Sequence, residues 1–126
     1  MRAVDTNVLV RLMTRDEAQQ AEIADSFIEN GAWVSILVLA EATWVFEAVY
    51  RRSAAEVAAA VQMLIDHKDL TLQDSDAVGA ALELFLSRPS LGFSDCLIFH
   101  IARKEGHLPL GTFDRALARV EGVQKL

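Results

Sequence analysis

Apolar and polar residues follow two periods along this chain, one short and strand-like, the other that of a helical turn. Ala3-Val4 is a short apolar pair that stops at Asp5, and Asn7 to Met13 carries one or two apolar helical turns. Between Glu17 and Glu29 the spacing of Ala21, Ala24, Phe27 and Ile28 predicts an amphipathic helix with those four on its inner side. Asn30-Gly31 ends it, because both residues tolerate the left-handed conformation at a helix C-terminus. Ala32 to Ser35 reads as a second strand, Leu37 to Arg51 as a long helix, and Ser53 as the cap of a helix from Ala54 to Asp66. Leu70 to Leu72 predicts a third strand, Asp76 to Leu86 a helix, and Arg88-Pro89-Ser90-Leu91-Gly92 a loop. The helix from Asp95 to Glu105 stops at Gly106. Leu108 to Thr112 is then a strand, Asp114 to Val120 a short helix and Val123 to Lys125 a last strand. Strands alternating with helices predict an α/β fold, a three-layer sandwich whose mainly parallel central sheet is flanked by helices. The pattern shows no linker and no repeat, so residues 1–126 are expected to form one domain.

Composition narrows this picture. At 126 residues, 52% apolar and 24% charged, the chain can bury a core and shows no bias towards disorder. Its longest apolar run, Ile36 to Ala40, is far too short to span a bilayer. A carboxylate at Asp5 precedes any apolar stretch, which argues against a secretory leader. The lone Cys96 excludes an internal disulfide and a cysteine-rich zinc site. A soluble, cytoplasmic protein without membrane partners is expected. The net charge of −6 argues against a nucleic-acid partner, since phosphate contacts call for a basic surface. Acids gathered in one pocket reverse that argument, because divalent cations held there dominate the local field.

Four acids invite that reading. Ligands bind at the carboxyl ends of strands in open parallel sheets. Asp5 ends the first strand, Glu41 lies early in the helix after the second, Asp95 opens a helix, and Asp114 follows the strand Leu108 to Thr112. Acids from distant parts of the chain can therefore meet at one sheet edge. Each Asp has an equally good structural reading as a helix cap. Glu41 differs, because Leu37 and Val45, one turn either way, are apolar. That pattern predicts that it projects from the buried stripe, where a charge needs a partner or a metal. Glu47, four residues before Arg51, is expected to form an ordinary solvated ion pair.

At these same positions the sequence resembles the PIN-domain family. Asp5-Thr6-Asn7-Val8-Leu9-Val10 resembles its opening motif, and Ser35-Ile36-Leu37-Val38-Leu39-Ala40-Glu41 its second. Phe93-Ser94-Asp95-Cys96-Leu97-Ile98 is similar to the third, and Thr112-Phe113-Asp114 followed by Leu117 to the fourth. Their order, spacing and the chain length are similar to those of VapC-type toxins of type II toxin–antitoxin systems. The resemblance implies a Mg²⁺- or Mn²⁺-dependent endoribonuclease with Asp5, Glu41, Asp95 and Asp114 as metal ligands and catalytic acids. Thr6, Asn7, Ser35 and Thr112 match polar positions that would orient those acids or contact the scissile phosphate. Ser94 and Arg115 neighbour the motif acids and are assigned no catalytic role. Cys96 stands where a small residue such as alanine is more usual, and a buried cysteine packs as one. The resemblance further implies a cognate VapB-type antitoxin, whose apolar contacts the helices Glu17 to Glu29 and Leu37 to Arg51 would supply, and a homodimer.

The chemistry suits these residue types. Cleaving a phosphodiester calls for an activated water, neutralised phosphate oxygens and a stabilised leaving oxygen, all of which hard divalent ions on carboxylates supply without a histidine. Cys96 and His100 have ligand-like spacing on one helix, but a pair without further partners is a poor zinc site. Asp74 and Asp76 read as charges at a helix start. Met63, Trp33, Trp44 and Phe46 read as core or interface. Arg11, Arg15, Arg51, Arg52 and Arg88 line an RNA path on one reading and are solvated surface charges on the other. Two further function classes remain. One is a PIN-like binding module without catalysis, against which the intact quartet argues. The other is a Mg²⁺-dependent phospho-acceptor receiver domain, which calls for adjacent acids after the first strand, whereas Thr6-Asn7 follows Asp5.

Overall fold

A computed structural model describes residues 1–126, which divide into two compact units, Met1–Ser75 and Asp76–Leu126. In the first unit, strands β1 (Arg2–Ala3), β2 (Ala32–Val34) and β3 (Leu70–Leu72) pair in parallel in the order β1-β2-β3. Ala3 lies opposite Trp33, and Trp33 opposite Thr71. Helices α1 (Thr6–Thr14) and α2 (Ala18–Ile28) connect β1 to β2, and α3 (Ile36–Ala48) and α4 (Ala54–Asp66) connect β2 to β3. Parallel neighbours require such crossovers, which explains the alternating pattern. Period-two alternation buries Ala32, Val34, Leu70 and Leu72, while Ala3, Trp33 and Thr71 share the opposite face and remain exposed. The covering expected on both faces is thus more complete on one.

Local signals set the helix ends. Ser53 and Glu56 form a capping box at α4: the Glu56 amide donates to Ser53 Oγ at 3.2 Å, and the Ser53 amide to Glu56 Oε1 at 2.9 Å. Glu17 accepts from the Gln19 and Gln20 amides at the start of α2. Gly31, at φ 96°, turns the chain from α2 into β2. Leu9, Val10 and Leu12 of α1 and Leu39, Ala42 and Phe46 of α3 are buried, and these helices pack on one another. Phe27, expected on the inner side of α2, is 38% exposed, whereas Ala21, Ala24 and Ile28 are buried as the spacing predicts.

The second unit holds α5 (Ser75–Ser87, entered from the first unit), a 3-10 turn at Pro89–Leu91, α6 (Phe93–Lys104), β4 (Leu110–Thr112), a 3-10 turn at Leu117–Arg119 and β5 (Val123–Lys125). Strands β4 and β5 pair in parallel as a sheet of their own, so the hydrogen-bonded ladders are two rather than one. The core centres on Phe85, Phe93, Leu97 and Phe99, with the rings of Phe85 and Phe93 edge to face at 6.0 Å. The short helix expected from Asp114 to Val120 contracts to the turn at Leu117–Arg119, because Asp114 fastens the preceding turn with its side chain. No helix in either unit is long and apolar enough to cross a membrane.

Candidate functional site

In the second unit, Gly92 at φ 78° releases the chain into α6 at Phe93, so Asp95 stands inside the first turn rather than at its cap. Its carboxylate is half-buried and accepts no hydrogen bond from the protein. Burial, and after it the charge of Asp114, push the Asp95 carboxyl above the ordinary carboxylate range. Asp114 lies past the end of β4, and its Oδ1 accepts from the amides of Ala116 at 2.8 Å and Leu117 at 3.3 Å. Thr112 joins it through its hydroxyl, which accepts from the Asp114 amide at 3.0 Å. This bond holds the backbone at Asp114 and not its carboxylate. The turn fixes one carboxylate oxygen of Asp114 and leaves Oδ2 without a donor.

Two carboxylates in electrostatic contact, one unpartnered and half-buried, disfavour charge where nothing of opposite sign offsets it. Oxygen-only donors of this kind fit a hard divalent cation such as Mg²⁺ or Mn²⁺. Within neither unit do three His, Cys, Asp or Glu side chains converge.

In the first unit, Asp5 caps α1 by accepting from the Val8 amide at 3.1 Å, the bland role its position allowed. Asp5 is exposed and lines a largely apolar cavity of about 510 Å³ with Asn7, Val8, Arg11, Ile23 and Phe27. Ser35 likewise spends its hydroxyl oxygen on the cap of α3, accepting from the Val38 amide at 3.1 Å. Thr6 and Asn7 open α1 beside Asp5 and engage no protein group through their side chains. Sequence reasoning missed Gln73, whose Oε1 accepts from the Ile36 amide at 2.9 Å and so ties β3's exit to the start of α3. No local pattern flags a bond across 37 positions.

Glu41 requires a correction. Helix α3 buries Leu39, Ala42, Thr43 and Phe46, one face at helical spacing. Glu41 is on the other face, exposed, with Leu37 80% and Trp44 58% exposed beside it. The helix is apolar nearly all round, so apolar neighbours do not reveal which side is inward. Glu47 and Arg51 form no ion pair either, because α3 ends at Ala48 and Arg51 sits beyond it at φ 55°. The pair formed nearby is Arg52–Glu56, at 3.3 Å.

The other residues singled out fall on the structural side. Cys96 is fully buried, and burial, with a smaller push from Asp95, raises its thiol to about 11, far from a metal-binding thiolate. His100 packs edge-on against Phe99 at 5.1 Å, and burial lowers its pKa. Asp76 pairs with Lys104 at 2.8 Å. Arg11 is held by Asp16, Gln20 and Tyr50, Arg15 by both oxygens of Asp25, and Arg52 by Glu56 beneath the ring of Phe46. Those three arginines are neutralised within the protein, whereas Arg51 and Arg88 carry no ion pair.

No individual curated protein matches the chain. Residues 2–123 match the PIN domain, a family whose members are in general metal-dependent nucleases. The match runs through both units and takes in all four acid-bearing segments, and so the chain belongs to the PIN domain family.

Proposed function

We propose that this protein is a metal-dependent endoribonuclease, the toxin of a VapBC-type toxin–antitoxin module. The observation that carries the reading is Asp95, a half-buried carboxylate that accepts no hydrogen bond from the protein and whose charge Asp114 further disfavours. Asp95, Asp114, Asp5 and Glu41 would hold Mg²⁺ or Mn²⁺, which supplies an activated water and charge neutralisation at the scissile phosphate. The backbone amides of Ala116 and Leu117 hold the Asp114 carboxylate, while the Thr112 hydroxyl accepts from the Asp114 amide and holds its backbone. The half-buried surroundings of Asp95 strengthen its attraction for a cation relative to a fully solvated carboxylate.

The same reading includes a VapB-type antitoxin and a homodimer. The apolar cavity beside Asp5, flanked by Ile23 and Phe27 of α2, and the exposed Leu37 and Trp44 of α3 support it as surfaces for an amphipathic antitoxin segment. The test is cleavage of a structured RNA with Mn²⁺ and then with EDTA, on protein whose mass has been measured by light scattering. Wild type should run as a dimer and cut only with metal, Asp95→Asn and Asp114→Asn should lose at least about a hundredfold in rate, and Glu47→Gln should stay active. Near wild-type cutting by either Asn variant would refute the metal assignment, and a monomer at micromolar concentration would remove the dimer alone.

A further inference from the structure

A second feature of the same unit is basic rather than acidic. The end of α5, the Pro89–Leu91 turn and the turn after Asp114 enclose a cleft of about 430 Å³, lined by Ser87, Arg88, Ser90, Ala116 and Arg119 among others, with no acidic residue in its wall. Arg88 and Arg119 are both exposed, and neither makes an ion pair or a side-chain hydrogen bond. Arg11, Arg15 and Arg52 are each matched to an acid, whereas Arg88 and Arg119 share one cleft with no acid in it. Two guanidinium groups facing one cleft repel each other, and an anion between them relieves that repulsion. The planar fork of arginine matches a phosphate oxygen pair, and the Ser90 hydroxyl adds a third donor.

The cleft also adjoins the candidate metal pair. Ala116, which lines it, gives its amide to Asp114 Oδ1 at 2.8 Å, so cleft and carboxylate share one turn. We propose that this cleft is a phosphate-binding subsite for the RNA strand, in which Arg88 and Arg119 grip a backbone phosphate flanking the one that is cut. It rests on the ribonuclease reading above, and it explains how a chain this acidic holds RNA: the positive charge is local and left free for the substrate.

The experiment is binding of a fluorescein-labelled oligouridylate of about 12 nucleotides, in EDTA, followed by anisotropy across about 50 to 200 mM salt. Arg88→Gln and Arg119→Gln should each weaken binding about tenfold, as expected for a lost charge-assisted contact. Each should also lower the salt slope by about 0.7, the value for one phosphate contact on a single strand. Arg51→Gln removes the same charge from an exposed arginine in the other unit and should change neither quantity. With Mn²⁺ and a cleavable RNA, the two cleft variants should raise KM and leave kcat unchanged, since they grip the strand without touching the reacting atoms. A double variant that binds like Arg51→Gln, or wild-type protein that does not bind at all, overturns the subsite. Displacement of the oligonucleotide by millimolar inorganic phosphate at fixed ionic strength would overturn the strand assignment in favour of a free anion. Arginine-dependent binding without any metal-dependent cutting would sink the nuclease reading and leave the subsite standing. Metal-dependent cutting with unaltered KM in the double variant would do the reverse.

Discussion

Asp95 is held where its own charge is disfavoured, by burial first and by Asp114 second. Its folded-state pKa lies above the ordinary value of 3.8, so the folded protein binds this proton more tightly than the unfolded chain does. The sign of the pH effect follows. The stabilisation is complete below pH 3.8 and is lost as pH rises through the raised value, so near neutrality the metal-free protein carries the penalty in full. Asp95→Asn removes the charge at almost constant volume. It should therefore stabilise the metal-free fold at pH 7 by about 1 kcal/mol, a figure kept small by solvent screening, and by nothing below pH 3.8. Mn²⁺, binding the folded state, should raise the wild-type Tm and raise that of the variant much less. Thermal melts of both proteins, with EDTA and with Mn²⁺ at two pH values, supply the comparison. An equal response to Mn²⁺ would return Asp95 to a purely structural role.

Among the elements, α4 was readable almost to the residue because its limits are written in local chemistry. Ser53 and Glu56 satisfy one another's backbone amides at the first turn. Ser53→Ala should cost about 1 kcal/mol, seen as a lower urea midpoint with an unchanged slope, and an unshifted midpoint would mean that the cap contributes nothing. Strand β3 and strand β5 were equally legible, being short apolar or alternating runs between turn residues. Helix α3 shows where sequence stops informing. With apolar residues around most of its circumference, its pattern could not tell the face of Leu39, Ala42 and Phe46 from the face of Leu37, Glu41 and Trp44. The placement of Glu41 failed for that reason, and the expected Glu47–Arg51 pair failed because the helix ends before Arg51. Of the candidate site, the sequence named Asp95, Asp114 and Thr112 as candidates. It could not supply the influence of the Asp114 charge on Asp95 or the Arg88–Arg119 cleft, each of which joins residues from separate turns.

At the scale of the whole molecule, the arginines account for the meaning of the net charge. Arg11, Arg15 and Arg52 are spent on Asp16, Asp25 and Glu56 while Arg88 and Arg119 are not paired, so the overall sum says little about where an anion can approach. The division at Ser75 has a different consequence, which concerns observation. Trp33, Trp44 and Tyr50 all belong to the first unit, and the single cysteine, Cys96, belongs to the second, where it is fully buried. Nature has thus given each unit its own reporter: indole emission follows residues 1–75, and alkylation of the thiol follows residues 76–126. A segment of about fifty residues is marginal as an independent folding unit, so both signals should change at the same urea concentration. If the thiol became reactive at a lower concentration than the one that shifts the emission, the two halves would be separate cooperative bodies, and the acids carried by α6 would open to solvent before the rest of the chain does.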